Sequence, residues 1–75
     1  MTDVKQLIMD ALKDLGAMDA ANMFTEIRGE LLDPTITADH VSDAMALLED
    51  QGTLEIIGVK RNYRNPLFVV YDINR

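Results

Sequence analysis

The chain contains 75 residues, of which 48% are hydrophobic and none is cysteine, and its formal net charge is −6. This length favours a single domain over residues 1–75 with one small core, and the hydrophobic content argues against a disordered chain. The sequence offers no disulfides or thiolate metal ligands, no apolar run of the roughly 20 residues needed to cross a membrane, and no signal-peptide pattern. We therefore expect a cytoplasmic protein with no membrane contact.

Acidic and basic residues are distributed unevenly along the chain. Residues 1–55 contain twelve acidic and three basic side chains, whereas residues 56–75 contain four basic side chains and one acidic one. The negative total argues against general affinity for nucleic acid, because binding to phosphates depends on cations. The C-terminal segment is the local exception to this acidic character.

Two amphipathic helices are predicted in the first half of the chain. The first covers about residues 3–15, where apolar side chains recur every three or four positions until Gly16. The second covers about residues 19–31, with Asp19 as its cap, and it ends before Pro34 because the residue before a proline is pushed out of helical geometry. The charged side chains expected to be solvated on the first helix are Lys5, Asp10, Lys13 and Asp14.

The second half of the chain predicts a third helix followed by a β-hairpin. Thr37 is a suitable N-cap for a helix over about residues 38–51, because its hydroxyl can accept a hydrogen bond from the first turn. Gly52 suits the left-handed residue that closes many helices. Strands are predicted at about residues 54–60 and 66–72, which are rich in β-branched and aromatic side chains.

The apolar residues at these spacings define the expected core. Because a two-stranded hairpin is not stable alone, it must pack on the three helices. Residues 35–36 are a candidate for an additional minor strand. The residues expected to be mostly buried are Val4, Ile8, Leu12, Phe24, Ile27, Val41, Met45, Leu48, Leu54 and Val69.

The segment from the third helix through the hairpin carries a family resemblance. It consists of residues 41–48, the helix exit EDQGTLE at residues 49–55 and the hairpin IIGVKRNYRNPLFVVY at residues 56–71. Together they resemble a winged helix-turn-helix domain, matched on fold pattern over essentially the full chain. The resemblance implies an α+β fold of three helices with a C-terminal two-stranded β-hairpin wing.

The same resemblance implies a small DNA-binding protein, and specifically a transcriptional regulator. In this family the third helix commonly enters the major groove of double-stranded DNA and the wing contacts flanking phosphates or the minor groove. The matching helix positions are Thr37, Ala38, Asp39, His40, Ser42 and Asp43. The matching wing positions are Lys60, Arg61, Asn62, Tyr63, Arg64 and Asn65. A homodimer is compatible with so small a core and would double the charge of the wing.

The charge of the third helix keeps a second hypothesis open. Residues 37–51 contain no lysine or arginine, whereas base readout and phosphate binding both favour cations. The alternative is a winged-helix protein-interaction module, or a DNA-mimic inhibitor, whose acidic helical face binds a basic protein partner. The acidic residues of that face are Asp39, Asp43, Glu49 and Asp50.

Residues for catalysis or metal binding are scarce. His40 with Asp39 and Asp43 could hold a metal or move a proton, but ligands confined to one helical turn make a weak site. A surface histidine near a helix start is the preferred interpretation. Ser42 has no activating base in a recognisable arrangement. We expect no enzymatic activity, no cofactor and no metal site.

Overall fold

A computed structural model describes residues 3–59 and 69–75. In these residues the chain forms three α-helices and a three-stranded antiparallel sheet, which confirms the predicted α+β class. The elements in chain order are α1 (Val4–Leu15), β1 (Met18–Asp19), α2 (Ala20–Ile27), a 3-10 turn (Arg28–Glu30), α3 (Ala38–Asp50), β2 (Leu54–Val59) and β3 (Val69–Ile73).

The first two helices begin at aspartate caps. The Asp3 carboxylate accepts a hydrogen bond from the backbone N–H of Lys5 at 3.0 Å, and the Asp19 carboxylate accepts one from Asn22 at 2.8 Å. Each bond satisfies a first-turn N–H that has no partner within the helix. At the other end of α1, Gly16 has φ +89°, a conformation that side chains disfavour.

The second helix is shorter than predicted. The α-helical part stops at Ile27, and residues 28–30 continue as a 3-10 turn before Leu31 adopts an extended conformation. Gly29 lies inside that turn, where its greater backbone freedom lowers the stability of regular α-helix. The predicted end near residue 31 was therefore wrong by one turn.

The sheet contains a strand that the sequence did not predict. β3 lies in the middle of the order β1-β3-β2, and β1 pairs Met18 with Tyr71 and Asp19 with Val70. The minor strand was expected instead at residues 35–36, which the structure places outside the sheet. Two residues are too few for an alternating pattern, so the strand depends on pairing with β3 rather than on local propensity.

The pairing of β2 with β3 confirms the predicted hairpin strands, although residues 60–68 lie outside the described residues. Ile56 pairs with Tyr71 and Gly58 with Val70, so Ile57 is an extra residue on β2. This is a β-bulge, which bends the strand locally and increases its twist. Within the described residues, β2 forms an edge of the sheet.

One hydrophobic core lies between the helices and the sheet. Seven of the ten predicted core residues are buried, while Val4, Phe24 and Val69 are only half-buried at its margin. Phe24 lines a surface cleft, which accounts for its partial exposure. The buried hydrophobic residues are Leu7, Ile8, Leu12, Ala20, Met23, Ile27, Val41, Met45, Leu48, Leu54 and Tyr71.

Leu48→Ala should lower the free energy of unfolding by about 2–5 kcal/mol, because it leaves a cavity at a site that is 5% exposed. Leu32→Ala is the matched control, since Leu32 is 78% exposed and should change stability by less than ~0.5 kcal/mol. Urea denaturation followed by circular dichroism measures both. Equal decreases in the two variants would contradict this core.

Candidate binding surfaces

The outward side of α3 carries a stripe of carboxylates. Asp39, Asp43 and Asp50 are exposed, and Ala46 lies among them on the same side of the helix. Residues four apart lie about 6 Å apart along a helix axis, and the whole stripe extends over about 16 Å. We call these four residues the acidic stripe. Leu47 borders it and is 44% exposed.

The N-terminal end of α3 is closed by a reciprocal cap. The backbone N–H of Thr37 donates a hydrogen bond to Nδ1 of His40 at 2.9 Å, in a capping-box arrangement. Accepting this bond requires an unprotonated Nδ1. The imidazole therefore stabilises the start of the helix, and this nitrogen is engaged before any external partner approaches.

Three of the predicted helix positions lie differently from expectation. Ser42 is buried, at 3% exposure, so it cannot face a DNA groove as predicted. Ala38 is half-buried at the start of the helix. Glu49, predicted to belong to the acidic face, is half-buried and lies on a different side of α3 from the acidic stripe. Side chains one or two positions apart point to different sides of a helix, which explains these departures.

Glu49 instead influences the ionisation of Tyr71 in β3. Burial of Tyr71 raises the pKa of its hydroxyl above the usual value, and the nearby charge of Glu49 raises it further. Both effects disfavour the phenolate, the first by desolvation and the second by repulsion. Tyr71 thus remains neutral at the centre of β3.

The predicted wing residues lie outside the described residues. They are Lys60, Arg61, Asn62, Tyr63, Arg64 and Asn65. Their part in binding stays a prediction from the sequence. The cations that the structure does describe are distributed over α1, the 3-10 turn and the last residue, and none is on α3.

A groove of about 420 Å³ runs between α1 and the C-terminal part of α2. Its floor is apolar and its walls carry carboxylates from both helical segments. The sequence predicted that the charged residues of α1 would be solvated. It did not predict that carboxylates after and within α2 would lie on the opposite side of a groove. The lining residues are Leu7, Asp10, Ala11, Lys13, Asp14, Leu15, Glu26, Ile27 and Glu30.

A second cleft, of about 390 Å³, lies between α2 and the connection to α3. Beside it, the Asp33 carboxylate accepts hydrogen bonds from the hydroxyl and the backbone N–H of Thr35, at 2.6 and 2.9 Å. These bonds lower the pKa of Asp33 below its ordinary value of 3.8. The lining residues are Phe24, Arg28, Leu31, Asp33, Pro34 and Ile36.

Residues 3–59 and 69–75 contain no group of three or more His, Asp or Glu side chains arranged to hold a metal ion. The helices of this part of the chain also lack the combination of length and hydrophobicity that a membrane-spanning helix requires. The described residues form three surfaces of defined charge or shape: the acidic stripe, the groove and the second cleft.

Comparisons of the chain with family models, with curated proteins and with solved structures gave no match. The resemblance to winged helix-turn-helix domains accordingly stays a prediction. The described architecture is compatible with it, because α2 packs against α3, and β2 and β3 follow as an antiparallel pair.

Thr35→Ala should raise the pKa of Asp33 toward 3.8 without reaching it, because the hydroxyl donor is removed and the backbone donor stays. The folded-state pKa of Asp33 lies below the unfolded one. Its contribution to stability is therefore complete above the unfolded pKa and disappears as the pH falls through the folded pKa. An NMR titration of the Asp33 carboxyl carbon measures the shift. Thr25→Ala is the control, and an unchanged pKa in Thr35→Ala would refute the assignment.

Proposed function

We propose that the chain is a small protein-interaction module that binds a basic protein surface through the acidic stripe of α3. The observation that carries this proposal is the exposure of three aspartates on one side of a helix that contains no lysine or arginine. A partner with the same chemistry as a nucleic-acid-binding surface would suit this face, in which case the chain would act as a competitor of DNA. A cytoplasmic location stays a prediction from the sequence.

Charge arrangement supports a protein partner over DNA at this face. Asp39, Asp43 and Asp50 would meet the phosphates of a duplex with repulsion, whereas a surface of lysines and arginines would pair with them. The exposed Leu47 adds apolar area at the edge of the stripe. Interfaces of this kind combine an apolar contact with a charged rim, and the charges mainly set orientation and association rate.

The fold supports a rigid presentation of the stripe. The opposite side of α3 is anchored by Val41, Met45 and Leu48, all buried in the core. Its first turn is fixed by the cap between Thr37 and His40. A helix held at its start and along its inner side keeps the backbone of its outer aspartates in fixed positions, which lowers the entropic cost of binding.

The double variant Asp39→Asn with Asp43→Asn should weaken binding to a basic globular protein such as lysozyme by roughly 2- to 30-fold, because two exposed ion pairs can no longer form. Asp33→Asn with Glu55→Gln removes the same charge from exposed residues outside the acidic stripe and should weaken binding less. Calorimetry at low salt measures affinity, and NMR amide shifts locate the contact.

Two results would contradict this proposal. One is an equal decrease of affinity in both double variants, which would reduce the interaction to net charge. The other is a set of amide shifts that excludes α3 while the protein is bound. Short duplex DNA serves as the competing ligand in the same titrations.

The second candidate is the DNA-binding regulator that the resemblance implies, with the wing as its main phosphate contact. The observation that favours it is the cluster of Lys60, Arg61 and Arg64 in an otherwise acidic chain. Cations interleaved with Tyr63 and asparagines suit contacts to phosphate and sugar. In this case the wing would carry the interaction, and the aspartates of α3 would oppose it by repelling the nearby phosphates.

If the wing binds DNA, Arg61→Ala with Arg64→Ala should reduce the salt dependence of log affinity by about 0.9 for each phosphate that the wing no longer neutralises. Asp39→Asn with Asp43→Asn should strengthen DNA binding, because repulsion near the duplex is reduced. Fluorescence anisotropy with a labelled duplex at several salt concentrations measures both effects. Unchanged affinity and salt dependence in the arginine variant would exclude the wing as the site of DNA binding.

A further inference from the structure

The groove between α1 and α2 is a second surface, independent of the acidic stripe and of the function proposed for it. Leu7, Ala11 and Leu15 follow one another at intervals of four residues along α1 and form its floor with Ile27 of α2. Leu15 is 59% exposed, although it belongs to the apolar repeat of its helix. The apolar surface of α1 therefore continues past the core into the groove.

The walls of the groove are acidic on both sides. Asp10 and Asp14 come from α1, while Glu26 and Glu30 come from α2 and the turn after it, and all four are exposed. Lys13 is the cation among the lining residues. The carboxylates give the groove negatively charged edges on both sides, which are complementary to a cationic ligand.

We propose that this groove docks a basic amphipathic helical segment of a partner protein. Its chemistry is the complement of such a segment: the floor matches an apolar stripe, and the two walls match lysines or arginines on either side of that stripe. The floor from Leu7 to Leu15 is about 12 Å long, which corresponds to about two turns of a bound helix. The volume of about 420 Å³ accommodates the apolar side chains of those turns.

Other ligand classes fit the groove less well. The four carboxylates repel the phosphates of nucleic acid. A small neutral molecule would not neutralise the negative charge of the walls. An apolar strip alone would also suit a second copy of this chain, but a second copy would bring a further set of carboxylates to the same place.

The probe is a fluorescent leucine–lysine peptide of about 14 residues with leucines at helical spacing, long enough to become helical on binding. Anisotropy titrations at low salt measure its affinity. Glu26→Gln with Glu30→Gln should weaken binding roughly 2- to 30-fold, whereas Asp33→Asn with Glu55→Gln, which makes the same change of net charge at exposed residues outside the groove and the acidic stripe, should leave it nearly unchanged. Asp39→Asn with Asp43→Asn is measured beside them to detect binding at the acidic stripe.

A pair of leucine variants tests the apolar floor. Leu15→Ser should weaken peptide binding, and Leu32→Ser, at an exposed leucine outside the groove, should not. NMR amide shifts in the wild-type complex should concentrate in residues 7–15 and 26–30. All the substituted groups are exposed, so each variant should remain folded. Circular dichroism of each free variant checks this.

Several outcomes would overturn the proposal. Equal weakening by the charge variant in the groove and by its control outside both surfaces would reveal attraction to net charge alone, and a peptide that fails to bind at low salt would exclude the groove. Analytical ultracentrifugation of the free protein tests whether a second copy of this chain occupies the groove. A dimer that dissociates in Leu15→Ser would assign the groove to a second copy. Binding that depends on Asp39 and Asp43 alone would support the function proposed for α3 while refuting this inference.

Discussion

The pairing of β3 with both of its neighbours is the constraint on which the rest of the structure depends. Tyr71 pairs with Met18 on one side and with Ile56 on the other, and its ring is buried in the core. β3 thereby joins the connection between α1 and α2 to the strand that follows α3. Because β1 has two residues and could not persist alone, this central strand determines where α2 begins relative to the sheet.

The sequence predicted the features that repeat over several turns and missed those that depend on packing. The helices have clear periodicities and the hairpin strands are rich in β-branched and aromatic residues, so the existence of these elements followed from the sequence alone. β1 was missed because a two-residue strand has no pattern of its own. Ser42 was assigned to the groove-facing side by its position in the family resemblance, yet the way α3 packs on the core buries its side chain.

The two candidate surfaces show the same distinction. Asp39 and Asp43 lie four residues apart on a predicted helix, so their common face was predictable. The groove was not, because its walls belong to two different helical segments, and the sequence does not show which sides of α1 and α2 face each other once they pack together. Charge composition indicated an acidic body, but the division of its carboxylates between a flat stripe and a lined groove is a property of the tertiary structure.

The bulge at Ile57 also bears on self-association of the chain through β2. Among residues 3–59 and 69–75, β2 is an edge strand, and it exposes the large apolar side chains of Ile56, Ile57 and Val59. A straight apolar edge is a template for the growth of intermolecular sheets, which leads to aggregation. The extra residue interrupts the even spacing of backbone donors and acceptors and twists the strand, so a second flat strand meets only short runs of matching groups. A bulge at this position is expected to disfavour the addition of a further strand along β2.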